Sequence, residues 1–317
     1  MRNEYGLGMQ SIKEIPRDSL RGTSVLVRSE GASAGQRAVG AAHKAARSVT
    51  GFTLERELSL LGDALNNPRR PLLAILGGEL SEEKLAMAEA IARRSEVLLL
   101  GGEMCLPFLV AQGRIEGRAE VSEKMVQLAR SMLSEAKDDK RQIDVPVDFM
   151  TVAREDLERM KKGIRFVTRA HVAHTPAREL RRNHVICDIG ETTRWAWSGR
   201  LGFARTIFWH GPLGIGEIKP FDEGTRFLAR QIANRTWPGM HKTIIAGGSL
   251  RALLSEMSDI ADRLDGLTRA DRAALHYFAG FPLPATASLT RAVESDADNP
   301  SPAATSLDGD AAMLRAA

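Results

Sequence analysis

The chain has 317 residues, 43% of them hydrophobic and 26% charged, and 44 Lys and Arg against 40 Asp and Glu leave a net charge of +4. That is enough chain for a large core in one or two domains, and it excludes global disorder and a fibrous repeat. Aromatics at 5% are too few for a base-stacking surface, and no apolar run approaches the roughly 18 residues of a membrane helix, so neither nucleic acid nor a membrane is an expected partner.

The opening residues carry no apolar stretch of the kind a secretory signal needs, and a cytoplasmic location is expected. Thr23 to Arg28 is a short β-rich run and predicts a strand. Leu54, Leu58, Leu61 and Leu65 recur at three- and four-residue spacing, with Phe52 just before them, and predict a helix from Phe52 to Leu65 that Asn66-Asn67-Pro68 stops. A regular rhythm then begins. The apolar runs are 71–76, 96–100, 142–147, 185–189, 206–209 and 243–246, and most are separated by helical stretches. Ser81 is placed to cap the first of these helices. Uniformly apolar strands alternating with helices predict an α/β fold, a doubly wound parallel sheet of six strands with helices on both faces. Residues 294 to 310 hold five acidic residues and no basic ones, and read as a flexible tail. Cys105 and Cys187 lie in apolar surroundings and read as buried free thiols in a reducing compartment, and no Cys and His grouping has metal-site spacing, so no metal-ligating residue is named.

Four strand ends carry glycine: Gly77-Gly78, Gly101-Gly102, Gly211-Pro212 and Gly247-Gly248. Ligands of open parallel sheets bind outside the carboxyl ends of the strands, and glycine there lets backbone N–H groups approach a phosphate or a flat base. One such pair is only a turn, but four at one sheet edge predict a nucleotide crevice. There is no P-loop and no strand-linked GxGxxG. Lys84 can reach a phosphate at a helix N-terminus or stand as a solvated surface lysine. Glu217 can accept from ribose hydroxyls or serve no ligand. His210 is open between a catalytic and a structural role. Asp148 and Asp188 are expected to cap helices or tie loops.

The blocks GFTLERELSLL, NNPRRPLLAILGGELSEEKL, LLLGGEMCLPFL, VPVD, DIGETT, IFWHGPLGIGE and PFDEGT resemble, in order and spacing, the nucleotide-binding part of phosphoglycerate kinases. The resemblance implies phosphoryl transfer between 1,3-bisphosphoglycerate and ADP, giving 3-phosphoglycerate and ATP with Mg2+ in glycolysis. It also implies a domain layout. Residues 1–50 would be a remnant of the substrate-binding N-terminal domain and 51–67 the linker helix. Residues 68–290 would be the nucleotide-binding domain, with a tail at 291–317.

Matched residue by residue, Lys84 corresponds to the second lysine of the family's GGAKVSDK block, which contacts nucleotide phosphate, and Leu80 stands in place of the first. Glu79 replaces a small residue and Glu103 the third glycine of GGGM. His210 replaces the asparagine of WNGP. Glu217 matches the glutamate that holds the ribose. Gly247 and Gly248 match part of GGGDT, with Ser249 in place of the aspartate that supports magnesium. Near the N-terminus Arg37 corresponds to the family's catalytic arginine at a shortened spacing. Glu30 and Ala32 replace substrate-binding residues, and about a dozen residues stand where the family has most of a domain. The expectation is an adenine-nucleotide binder with a degraded catalytic apparatus and no basic patch for 3-phosphoglycerate. The alternative is a non-catalytic interaction protein on the same fold, self-associating through an uncovered linker helix.

Overall fold

The computed structural model describes residues 25–28, 47–50, 68–116, 120–162, 172–235, 242–261, 263–264 and 272–281. The chain divides into two units, Met1–Glu55 with Pro282–Ala317, and Arg56–Phe281. The first contributes two four-residue strands, β1 (Val25–Arg28) and β2 (Arg47–Thr50), paired in parallel with Val25 opposite Arg47. Of the strand expected at Thr23 to Arg28, Val25–Arg28 is present, and Thr23 and Ser24 lie outside the described residues. The stripe of Phe52 to Leu65, Arg37 and the tail lie outside the described residues.

The second unit is built on β3 (Leu72–Leu76), β4 (Val97–Leu100), β5 (Gln142–Asp144), β9 (Thr206–His210) and β10 (Lys242–Ala246). All their pairings are parallel, in the order β10-β9-β3-β4-β5. Side chains alternate along each strand, so the sheet has two buried faces. Leu72, Ala74 and Leu76 of β3 join Phe208 and Ile244 in one cluster. Leu73 and Ile75 join Trp209 and Ile245 in the other. The first face is covered by α1 (Glu82–Ala92), α2 (Leu106–Ala111), α3 (Glu123–Asp138) and α9 (Arg272–Ala279), with Phe278 stacked on Phe208 at 3.8 Å. The second is covered by α5 (Glu191–Leu201), α6 (Glu223–Arg235) and α7 (Gly248–Ser255). Met125, Ala129, Met132 and Ala136 form the buried stripe of α3 at three- and four-residue spacing.

One strand differs from expectation. The parallel sheet has five strands among the described residues, not six, because the run at 185–189 lies in a separate antiparallel sheet. There β8 (His184–Ile189) pairs with β6 (Asp148–Ala153), which also pairs with β7 (Ala173–Pro176). β6 follows β5 after three residues, Val145-Pro146-Val147, so the chain turns off the parallel sheet before a crossover can form. Met150, Val152 and Cys187 then pack with Leu157 of α4 (Arg154–Lys161) and with Phe221 in a third small cluster. The last helix of the rhythm is the short α8 (Ser258–Ala261). No described helix is long and apolar enough to cross a membrane.

Candidate functional site

The strand order reverses between β3 and β9, so the chain leaves β3 toward β5 on one side and returns to β9 on the other. Ligands of such sheets sit at that reversal, outside the carboxyl ends. The four glycine-bearing ends belong to β10, β9, β3 and β4, which are consecutive neighbours, so the sequence-predicted glycines are brought to one edge.

What those glycines do there is more specific than expected. The Gly77 amide donates to the His210 carbonyl (2.9 Å), the Gly102 amide to Leu213 (3.1 Å) and the Glu103 amide to Gly78 (3.0 Å). A Cβ on Gly77 would collide with the Pro212 carbonyl. One on Gly211 would come within 2.6 Å of the Gly77 oxygen, and one on Gly102 within 2.7 Å of the Gly78 nitrogen. A Cβ on Gly101 would meet the Leu213 side chain at 2.5 Å. These glycines let neighbouring loops touch one another at the carboxyl edge of the sheet. Gly247 is different. At φ 109 it turns β10 into α7, and no side chain caps that helix, whose first residues Gly248 and Ser249 are exposed. Uncapped amides and the positive end of the helix dipole favour an anion.

Lys84 sits in the first turn of α1. Its ammonium donates to the carbonyls of Gly77 (2.5 Å) and Glu79 (3.3 Å). Ser81 caps the helix as expected, its hydroxyl accepting from the Lys84 amide at 3.1 Å. On the other side the Glu103 carboxylate accepts from the Leu80 amide at 3.2 Å. The loop from Gly77 to Leu80 is thus held from both flanks by charged side chains. Glu217 is exposed in the segment between β9 and α6. His210 is buried at the end of β9.

Asp148 and Asp188 tie elements together around this edge. The Asp148 carboxylate accepts from the amides of Thr192 (2.9 Å) and Thr193 (2.8 Å) and from the Thr193 hydroxyl (2.5 Å), capping α5 from the start of β6. Gly190 leaves room for it, since a Cβ there would overlap the carboxylate. Burial pulls the Asp148 carboxyl up, but the hydrogen bonds from Thr193 and Thr192 outweigh it and hold the group below its ordinary value. Asp188 is wholly buried and accepts from the amides of Gly224 (2.6 Å) and Ile189 (2.8 Å). Its burial pushes the carboxyl up to about 8 against the opposing pull of those two amides and of Arg194. Arg194 pairs with Glu223 at 3.1 Å. Both cysteines are buried free thiols, and burial pushes Cys187 up to about 12.

The uncapped N-terminus of α7 and the Lys84 ammonium are groups of the kind that favour anions. A protein-held magnesium ion fits less well. Among the described residues no three His, Cys, Asp or Glu side chains converge on a metal-sized space, and Ser249 offers only a neutral hydroxyl. A separate cleft of about 450 Å³ lies between the end of α2, β5 and α5, lined in part by Arg114, Asp144, Trp197, Arg200 and Phe203. It includes none of the strand-end glycines.

The family model described as Phosphoglycerate kinase matches residues 32–280. The chain is 32% identical over 250 residues to the phosphoglycerate kinase of Chlorobium phaeobacteroides, covering 79% of this chain and 60% of that protein. It is likewise 32% identical over 265 residues to that of Roseiflexus castenholzii, covering 80% and 63%. The solved structure of phosphoglycerate kinase from Coxiella burnetii is similar with a TM-score of 0.66 at 27% identity, covering 81% of this chain and 61% of that one. The chain therefore spans about three fifths of the length of these relatives.

Proposed function

This chain belongs to the phosphoglycerate kinase family, and we propose that it keeps an adenine-nucleotide crevice while the family's phosphoryl transfer is weakened or lost. The observation that carries the binding half is the set of four glycine-bearing strand ends on adjacent strands, beside the uncapped N-terminus of α7. In this reading the α7 amides and Lys84 hold the phosphates and Glu217 the ribose. The glycine loops form the floor on which the base lies. Magnesium entering with the nucleotide would neutralise phosphate charge, and none of the described residues is assigned to hold it.

The transfer half rests on charges that are absent. Moving a phosphoryl group is mostly positioning plus electrostatic stabilisation, and removing one positioned donor typically lowers rate by about a hundred- to a thousandfold. Leu80 and Ser249 are neutral where the family pattern places a lysine and an aspartate, and Glu103 adds negative charge beside the loop. Binding of 3-phosphoglycerate is not part of this proposal. A coupled assay with 3-phosphoglycerate and Mg-ATP tests it. Turnover at background is expected, and turnover in the ordinary range of kinases, about 1–100 per second, would overturn the transfer half. In the same preparation Lys84→Ala is expected to weaken Mg-ADP binding several-fold, and unchanged binding would remove Lys84 from the phosphate site.

A further inference from the structure

The cleft between the end of α2, β5 and α5 lies wholly within the Arg56–Phe281 unit, holds about 450 Å³ and stands apart from the strand-end glycines. That volume is in the range of small-molecule pockets, which combine apolar walls with a few placed polar groups. The lining has this character. Trp197 of α5 is 2% exposed and supplies a buried aromatic wall. Val147 and Phe203 are two of the four large hydrophobics that are exposed among the described residues, and both line this cleft. Phe203 is 77% exposed, and a ligand covering its ring removes apolar surface from water.

The charged residues of the lining are Arg114, Arg200 and Asp144. Arg200, in the last turn of α5, donates from Nε to the Asp144 carboxylate at 3.0 Å, which ties α5 to the edge strand β5 and neutralises that carboxylate. Arg114 has no carboxylate partner among the described residues. Its backbone is nevertheless fixed. The Gly113 amide donates to the Val110 carbonyl and the Arg114 amide to the Leu109 carbonyl, each at 2.9 Å, with Gly113 at φ 66. These paired bonds are the Schellman end of α2, and they place one surplus cation on a rigid turn beside apolar surface. We propose that this cleft is a second ligand site, and that it takes a small amphipathic anion: a flat apolar ring system carrying one carboxylate or sulfonate. Arg114 pairs with the acid group, and the ring system lies against Trp197, Val147 and Phe203. The site is independent of the nucleotide reading, so either can fail alone.

The probe is 8-anilinonaphthalene-1-sulfonate, paired with N-phenyl-1-naphthylamine, which has the same rings without the sulfonate. Both are titrated by fluorescence into the full chain, Arg114→Gln and Phe203→Ala, with the melting temperature of each protein measured alongside. Both positions are exposed, and all three proteins are expected to melt alike. The sulfonate is expected to bind the wild type saturably, one per chain, and to stay bound in excess Mg-ADP. Arg114→Gln is expected to weaken it about fivefold, the upper scale of one charge pair near a surface, and to leave the neutral amine unchanged. Phe203→Ala is expected to weaken both probes. No sulfonate binding by the wild type would overturn the inference, as would equal affinity in all three proteins or displacement by Mg-ADP. Equal weakening of both probes by Arg114→Gln would overturn it too, since that is a loss of shape rather than of charge.

Discussion

Asp148 accepts from two amides and a hydroxyl at the N-terminus of α5, whereas Asp188 accepts from two amides in a fully buried position. The two respond to pH in opposite senses. The lowered Asp148 gives stability that is present above its ordinary value near 4 and is lost as pH falls through its folded value. The raised Asp188 gives stability that is present below about pH 4 and is lost as pH rises toward about 8. Urea unfolding of Asp148→Ala is expected to show a loss of about 1–2 kcal/mol at neutral pH, the usual scale of a lost helix cap, shrinking in acid. For Asp188→Asn the stability of the wild type relative to the variant is expected to fall between pH 5 and pH 8. A difference that stays flat over that range would place an ionised carboxylate in the core and contradict the assignment. Both aspartates are legible in the sequence as groups that end segments, but their opposite environments are not. That difference comes from tertiary neighbours such as Thr193 and Gly224, which lie 45 and 36 residues away.

At the scale of elements, five runs are read correctly as parallel strands, four of them because they are buried on both faces and so lack polar alternation, while β5 is a short, partly exposed edge strand. The same signal misplaces 185–189. A buried run has no mark of which sheet it joins, and the other strands of its sheet, β6 and β7, carry Asp148, Thr151 and His174 among their apolar residues, which hides them as strands. The predicted run at 142–147 takes in β5 and ends at the residue before β6 begins. The glycine-bearing turns are legible as an edge, while their contacts with one another depend on strand order. That packing is testable. Gly77→Ala would drive a Cβ into the Pro212 carbonyl and is expected to destabilise by about 1–3 kcal/mol, in line with overpacked sites. Gly113→Ala meets nothing within 4 Å and carries only the strain of φ 66, about 1 kcal/mol. Equal melting temperatures for the two variants would contradict the loop-to-loop contact at the strand ends.

For the whole molecule, the two described units have different standing. The five-stranded unit holds the core, the switch point and every described site residue. The other contributes the β1–β2 pair, and the sequence expectation for Arg37 falls outside the described residues. A phosphoryl-transfer enzyme of this family needs acceptor and nucleotide brought together with water excluded. This chain spans three fifths of its relatives and has neutral residues at Leu80 and Ser249, where the family pattern places a lysine and an aspartate. Several of the described sequence blocks, LLLGGEMCLPFL, DIGETT and IFWHGPLGIGE among them, sit at strand ends, where loop packing constrains the residues. The self-held state of Lys84 and Glu103 needed coordinates, since it depends on atoms 7 and 23 residues apart meeting across two loops. The most direct single measurement is calorimetric titration of the wild-type chain with Mg-ADP. Saturable binding of one nucleotide per chain is the expected result, and no heat of binding up to millimolar nucleotide would contradict a retained crevice.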